Sequence, residues 1–239
     1  MLSVATPLAA CEARIEHGAH RVPTVAIVGA SYTAGTGPDN PQESWAVGLA
    51  RLLRWNAVIY GVPGAGYVRT GSNDLGPMAR MLTDEQLQGL SPALVLIQAG
   101  YDDGKVPVGI EGQQVRRTVE LIRAEAPHAA IGLVTVFTSP ARPIPARFYR
   151  IDSAIVAAAK AADPNVIIMD PLTGQWKYQH ADDGLHPTAA GDAWIGRKVD
   201  AMLRAHGVDS GPAITAASAA PIICDVGIRT PAPDGDIKI

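Results

Sequence analysis

Cysteine, charge and long apolar runs are all scarce in this chain, and each shortage excludes something. Only two of the 239 residues are cysteines, Cys11 and Cys224, one near each end, and neither has a CxxC or metal-ligand neighbour. His17, His20, His128 and His206 are scattered without zinc spacing, so no metal site is expected. Charged residues make up 18%, below the usual quarter, and the formal net charge is −3. Lys and Arg form no basic block and no RNA-type aromatic motif accompanies them, so nucleic acid is not an expected partner. No apolar run reaches the roughly eighteen residues that a membrane span needs. The glycines at 61, 64 and 66 do not follow GxGxxG and no GK[ST] occurs, which argues against a dinucleotide or Walker loop.

The two cysteines leave two readings open. They are unrelated buried thiols, or they form a disulfide that ties the C-terminal tail to the N-terminal arm and implies an oxidising compartment. Closing so long a loop would stabilise the fold by roughly 5 kcal/mol at most in the chain-entropy model. The opening MLSVATPLAAC resembles the end of a secretory h-region followed by a lipoprotein-type LAAC box, without a positively charged n-region. Lipid on Cys11 would leave Cys224 without that partner, so the two ideas compete. A secreted or cell-envelope location is the expectation.

What the chain does have is a large core and a regular alternation of elements. At 47% hydrophobic, and with nothing resembling a linker between halves, the sequence predicts one domain over 24–206, an N-terminal arm over 1–23 and an extended tail over 207–239. Apolar runs at 24–30, 56–60, 93–100, 129–137 and 165–170 suit strands buried on both faces. Amphipathic segments follow them, including PQESWAVGLARLLRW, GIEGQQVRRTVELIRAEAP, a long helix over about 146–162 and a last one from about Thr188 to His206. Such alternation predicts an α/β fold, a three-layer α/β/α sandwich around a mostly parallel five-stranded sheet. Ligands bind such sheets beyond the carboxyl ends of the strands. Ser31, the Gly61–Gly66 turn, Gly100 and the loop after Asp170 all fall there.

Two stretches at those ends carry chemistry. In VAIVGASYTAG, Ser31 follows the small pair Gly29-Ala30, where the backbone can turn sharply and expose the hydroxyl. On its own, a serine at this place is more often a helix N-cap or turn residue than a nucleophile. In ADDGLHPTAAG, Asp183 stands three residues before His186 in a tight loop, placed to accept the Nδ1 proton and leave Nε2 as a base toward a serine. Thr188 is the expected N-cap of the helix that follows. The turn is not the GxSxG elbow, because Thr33 stands where the last glycine should be.

The order GAS near the N-terminus, a glycine after the second strand, GYDD after the third and DGLH before a C-terminal helix resembles the SGNH hydrolases, the GDSL-type esterases and lipases. The resemblance covers roughly 24–206 and implies a flavodoxin-like SGNH fold with a Ser-His-Asp triad, needing no metal or organic cofactor. It implies that Ser31 is both nucleophile and, through its N–H, an oxyanion donor; that Gly64 is a second N–H donor; and that Asp183 and His186 complete the triad. The family's GxND block puts an asparagine amide in the oxyanion hole, and here Asp102 replaces it. An ionised carboxylate has no proton to donate. Holding Asp102 neutral at pH 7 requires raising its pKa from about 3.9 by some three units, roughly 4 kcal/mol, for which burial beside Asp103 is the available cause.

The expectation is therefore a monomeric serine esterase acting on carboxylic esters, of an acyl lipid or an O-acyl glycan. The alternative is a catalytically weak SGNH-fold protein that binds a glycan or lipid because Asp102 has disabled the hole. Tyr101, Trp176, Tyr178 and His180 either line an acyl or sugar pocket or simply pack a loop.

Overall fold

The computed structural model describes Ile15 and residues 22–84, 87–138, 143–211 and 221–225. Strands β1 (Thr24–Gly29), β2 (Asn56–Gly61), β3 (Leu94–Gln98), β4 (Ala130–Val134) and β5 (Ile167–Met169) arise where the apolar runs predict them; β2 runs one residue past its run, to Gly61, and the other four are shorter than theirs. Helices α1 (Ser31–Ala34), α2 (Trp45–Leu53), α3 (Met78–Asp84), α4 (Leu87–Leu90), α5 (Val108–Glu125), α6 (Ala146–Ala162) and α7 (Ala189–Ala205) alternate with them. None of the described helices is long and apolar enough to cross a membrane.

A further strand, β6 (Ile223–Asp225), joins them; among the described residues all strand pairings in the sheet are parallel and the order is β5-β4-β3-β1-β2-β6. Among the described residues the sheet thus has six strands, one more than the expected five. The sixth, β6, comes from the tail and pairs with β2 through Ala57↔Ile223, Val58↔Cys224 and Ile59↔Asp225. Without it β2 would present a bare edge of unpaired backbone groups. Asn56 reinforces the join by accepting the Ile222 N–H at 2.9 Å. Cys224 is buried in β6 among Val58, Leu90 and Ile15. Its expected partner Cys11, the MLSVATPLAAC segment and most of both terminal segments lie outside the described residues.

Two apolar layers flank the sheet because strand residues alternate between its faces. Ala26, Val28, Val95 and Ile97 meet α5 and α6 on one side, through Val115, Val119, Ile122, Ile151 and Ile155. Val25, Ile27, Leu94 and Leu96 meet α2 and α7 on the other, through Trp45, Leu49, Leu53, Ile195 and Val199. Both layers are required to hold the carboxyl ends of β1, β2 and β3 side by side, and the candidate site is built on those ends.

Candidate active site

The chain leaves β1 through Gly29 and Ala30, and α1 begins at Ser31. A Cβ on Gly29 would run into the Thr33 hydroxyl, so only glycine lets the turn close this tightly. The turn is held from the neighbouring strand by Gln98, the last residue of β3. Its side-chain Oε1 accepts the Ala30 N–H at 3.2 Å, the Thr33 N–H at 3.3 Å and the Thr33 hydroxyl at 3.1 Å, and its backbone O accepts the Ala30 N–H at 3.1 Å. Gln98 is 2% exposed, so these donors have no water to turn to. Gln98→Leu is expected to cost about 2–4 kcal/mol from the unpaired donors, read as a lower midpoint in denaturant at unchanged m-value.

The second stretch arrives from the far side of the fold. Thr188 caps α7, its hydroxyl accepting the Gly191 N–H at 3.2 Å as expected. The preceding loop is pinned by a bridge between His180 and Pro187. Within it Asp183 Oδ1 accepts the N–H groups of Leu185 at 2.8 Å and His186 at 2.9 Å, while Oδ2 lies 2.6 Å from His186 Nδ1. Burial opposes ionisation of Asp183, but the His186 ring and these two backbone donors outweigh it and hold the carboxyl below its ordinary range. With Nδ1–H given to the carboxylate, Nε2 is the acceptor, and it lies 2.9 Å from Ser31 Oγ. Ser31, His186 and Asp183 are therefore brought into one continuous line, 155 residues apart along the chain at its longest link.

Tyr32 locks the two stretches together. Its ring stacks on Phe137 with centroids 4.3 Å apart, and its hydroxyl donates to the Leu185 carbonyl at 2.5 Å and lies 3.0 Å from the Tyr178 hydroxyl. The residue after the candidate nucleophile thus holds the loop that carries the candidate base. Trp176 and Tyr178 are buried and pack around this post, Tyr178 edge-on to Phe137 and 4.4 Å from the His180 ring. Tyr101 instead stacks on Phe148, centroids 4.9 Å apart.

The expected oxyanion donors occupy the adjacent strand ends. Among the described residues, the N–H groups of Ser31 and Gly64 have no hydrogen-bond acceptor. Asp102 lies in the turn after β3, partly exposed. Burial first and the neighbouring Asp103 second raise its pKa to about 7, against the pull of Arg69 and of its own backbone N–H. Asp103 is fully buried and does something else: its carboxylate accepts the N–H groups of Tyr67 at 2.6 Å, Arg69 at 2.9 Å and Val68 at 3.3 Å. It fastens the loop that follows β2 and carries Gly64. Gly66 has no side chain because that carboxylate fills the space where a Cβ would stand.

The sequence profile of the GDSL-like Lipase/Acylhydrolase family matches residues 27–194. The chain belongs to this family. No curated protein sequence matches it. Solved structures similar to this GDSL-like chain include a carbohydrate esterase family 2 enzyme with a carbohydrate-binding domain from Corynascus thermopiles (Myceliophthora fergusii). That enzyme is 21% identical with a TM-score of 0.65, over 80% of this chain and 68% of that one. A family two carbohydrate esterase from Clostridium thermocellum, in complex with cellohexaose, is 16% identical with a TM-score of 0.62, over 78% of this chain and 65% of that one. TesA is 21% identical with a TM-score of 0.60, over 77% of this chain and 99% of that one. At these identities the structures establish the shared fold.

Gln98 and Tyr32 are parts of this GDSL-like site that sequence reasoning passed over, and Asp103, read from the sequence only as a neighbour of Asp102, proves also to anchor the Gly64 loop. Gln98 is the one strongly polar residue inside the apolar run LVLIQAG, which is the signal that marks it.

Proposed function

We propose that the chain is a serine esterase that hydrolyses carboxylic esters, with Ser31 as nucleophile, His186 as proton carrier and Asp183 as its orienting carboxylate. The observation that carries this reading is the unbroken line Ser31 Oγ to His186 Nε2 at 2.9 Å and His186 Nδ1 to Asp183 Oδ2 at 2.6 Å. As Ser31 Oγ attacks the acyl carbon, its proton passes to Nε2, and the imidazolium is stabilised by Asp183. The developing oxyanion is received by the N–H groups of Ser31 and Gly64. His186 then returns the proton to the departing alkoxide. Water, activated by the same nitrogen, releases the acid from Ser31. Membership in a family of lipases and acylhydrolases, and the fold shared with carbohydrate esterases, support an acyl lipid or an O-acyl glycan as substrate. A fluorophosphonate probe should modify Ser31 and nothing else in the chain, read by peptide mass; labelling that persists in Ser31→Ala would overturn the assignment.

Asp102 is the third oxyanion donor in this reading, and it donates only while protonated. With its pKa raised to about 7, the donor is present below that pH and lost above it. Turnover of p-nitrophenyl acetate should therefore fall as pH rises past about 7. Asp102→Asn should remove that limb and exceed the wild type by about a hundredfold at pH 9, the lower end of what one oxyanion donor commands. A second reading, a weakly catalytic binding protein, rests on the same carboxyl. Negligible wild-type turnover at every pH, with a gain in Asp102→Asn, favours it.

We also infer that Cys224, buried in β6, pairs with Cys11 and that the protein works in an oxidising, exported setting. Alkylation of both thiols only after reduction is the expected result.

A further inference from the structure

Between the segment that leads to His180 and α7 lies a groove of about 650 Å³ that the esterase reading does not use. Its walls are Lys177, Tyr178 and Gln179, from the segment before His180, and Ala190, Trp194 and Arg197 from α7. The last three are spaced i, i+4 and i+7, so they form one stripe along the helix, two turns or about 10 Å long. Trp194 is half-buried and braced from behind. Its ring meets the buried Trp176 edge-on, centroids 5.9 Å apart, and the buried Tyr178 at 6.3 Å. An indole held in this way presents a fixed apolar face at no further cost in rotamer entropy.

The charge in the groove has one sign. Lys177 and Arg197 line it, both are exposed, and no Asp or Glu does. Among the described residues neither cation takes part in an ion pair. Two uncompensated cations beside a braced indole are notable on a chain whose net charge is −3. The groove is also wired to the candidate site. The backbone O of Gln179 accepts the N–H of Thr188, the cap of α7, at 3.0 Å, and its Oε1 accepts the Thr188 hydroxyl at 3.3 Å. The Tyr178 hydroxyl lies 3.0 Å from that of Tyr32, next to Ser31.

We propose that this groove binds an acidic glycan, a chain containing hexuronic acid, with a pyranose face on Trp194 and its carboxylates met by Lys177 and Arg197. The length of the stripe suits about two pyranose rings. The C–H face of a sugar packs on an indole while its rim of hydroxyls remains for Gln179 and water. Arg197 presents the planar fork that matches a carboxylate, and Lys177 a mobile point charge. A membrane surface is the poorer fit. The exposed large apolar side chains among the described residues are Leu52, Val108, Ile110 and Tyr149, and none of them lines the groove. The proposal stands on the groove alone and does not require Ser31 to be a nucleophile.

The test is titration of the full-length Ser31→Ala protein, in which no turnover enters, with tetragalacturonate and with neutral cellotetraose, read by tryptophan fluorescence and calorimetry. Tetragalacturonate should bind at least tenfold more tightly than cellotetraose and weaken with added salt. Both Lys177→Ala/Arg197→Ala and Trp194→Ala should weaken it at least tenfold. The double substitution removes two exposed side chains, so it answers the question even if Trp194→Ala fails to fold. No measurable binding, equal binding of the two sugars, or binding untouched by the double substitution would overturn the proposal. So would binding to phosphatidylglycerol vesicles without binding to the saccharide. None of these results would bear on whether Ser31 hydrolyses esters.

Discussion

Replacing Ser31 by alanine is expected to lower kcat for p-nitrophenyl ester hydrolysis by about four to six orders of magnitude, to the level that substrate binding and the oxyanion hole sustain alone. The reason is the sequence of bonds already described. Ser31 Oγ supplies the electron pair, and His186 Nε2, 2.9 Å away, has no other proton to collect. His186→Ala should cost a comparable factor. The double variant Ser31→Ala/His186→Ala should be no slower than either single one, because groups that act as a unit fail as a unit. Asp183→Asn is a milder change. An Asn oxygen can still accept the Leu185 and His186 N–H groups that shape the loop, but it no longer fixes the tautomer of the ring. Asp183 is also 48% exposed on its side chain, so water can take over part of its role. Its loss should therefore fall short of the Ser31 loss by at least tenfold. Steady-state kinetics on purified, folded variants decides the matter. A Ser31→Ala protein that keeps a tenth of wild-type kcat, or single losses that multiply in the double variant, would remove the triad from the mechanism.

Much of this site could be read in the sequence because its parts are local. A strand buried on both faces must be apolar along its whole length, so β1 to β5 stand out as continuous runs such as VAIVG and LVLIQ. Asp183 and His186 are linked by a three-residue spacing, and Thr188 by a cap rule, so the loop carries its own description. What could not be read was mostly made at a distance. Gln98 reaches the Ser31 turn across 68 residues, Tyr32 reaches Leu185 across 153, and no local pattern predicts either contact. β6 has only three residues inside a Pro/Ala-rich tail, too short for any periodicity, and exists because β2 needs a neighbour. Glu111 is an intermediate case. At 111, 115, 118 and 122 it shares a helical face with Val115, Thr118 and Ile122, so a charge on an inward stripe was there to be noticed.

That inward Glu111 gives the second large effect, on stability rather than rate. It is fully buried in the first turn of α5, and among the described residues neither of its Oε atoms is reached by an N–H or neutral O–H donor. Its polar neighbour is Asp103, whose carboxylate already holds three backbone N–H groups. Burial first, and then the charge and hydrogen bond of Asp103, raise the Glu111 pKa from 4.5 to about 9. At neutral pH Glu111 is thus a neutral acid donating its proton to Asp103. The unfolded chain releases that proton above about pH 4.5 and the native one only near 9, so between these values the native state binds more protons. Stability must then fall as pH rises through the window, by up to about 6 kcal/mol for this group if the full difference is realised. Asp192, also fully buried and with its pKa raised to about 8 chiefly by burial, adds to the same slope. Glu111→Gln keeps a donor for Asp103 and cannot ionise. Its unfolding free energy should match the wild type within about 1 kcal/mol at pH 5 and exceed it by several kcal/mol at pH 9, measured in urea at matched ionic strength. Asp192→Asn should flatten the remaining slope independently, since the two groups share no partner. Parallel stability curves for wild type and Glu111→Gln from pH 5 to pH 9 would mean that Glu111 is ionised in the native state, and the Asp103 anchor of the Gly64 loop would then need another proton donor.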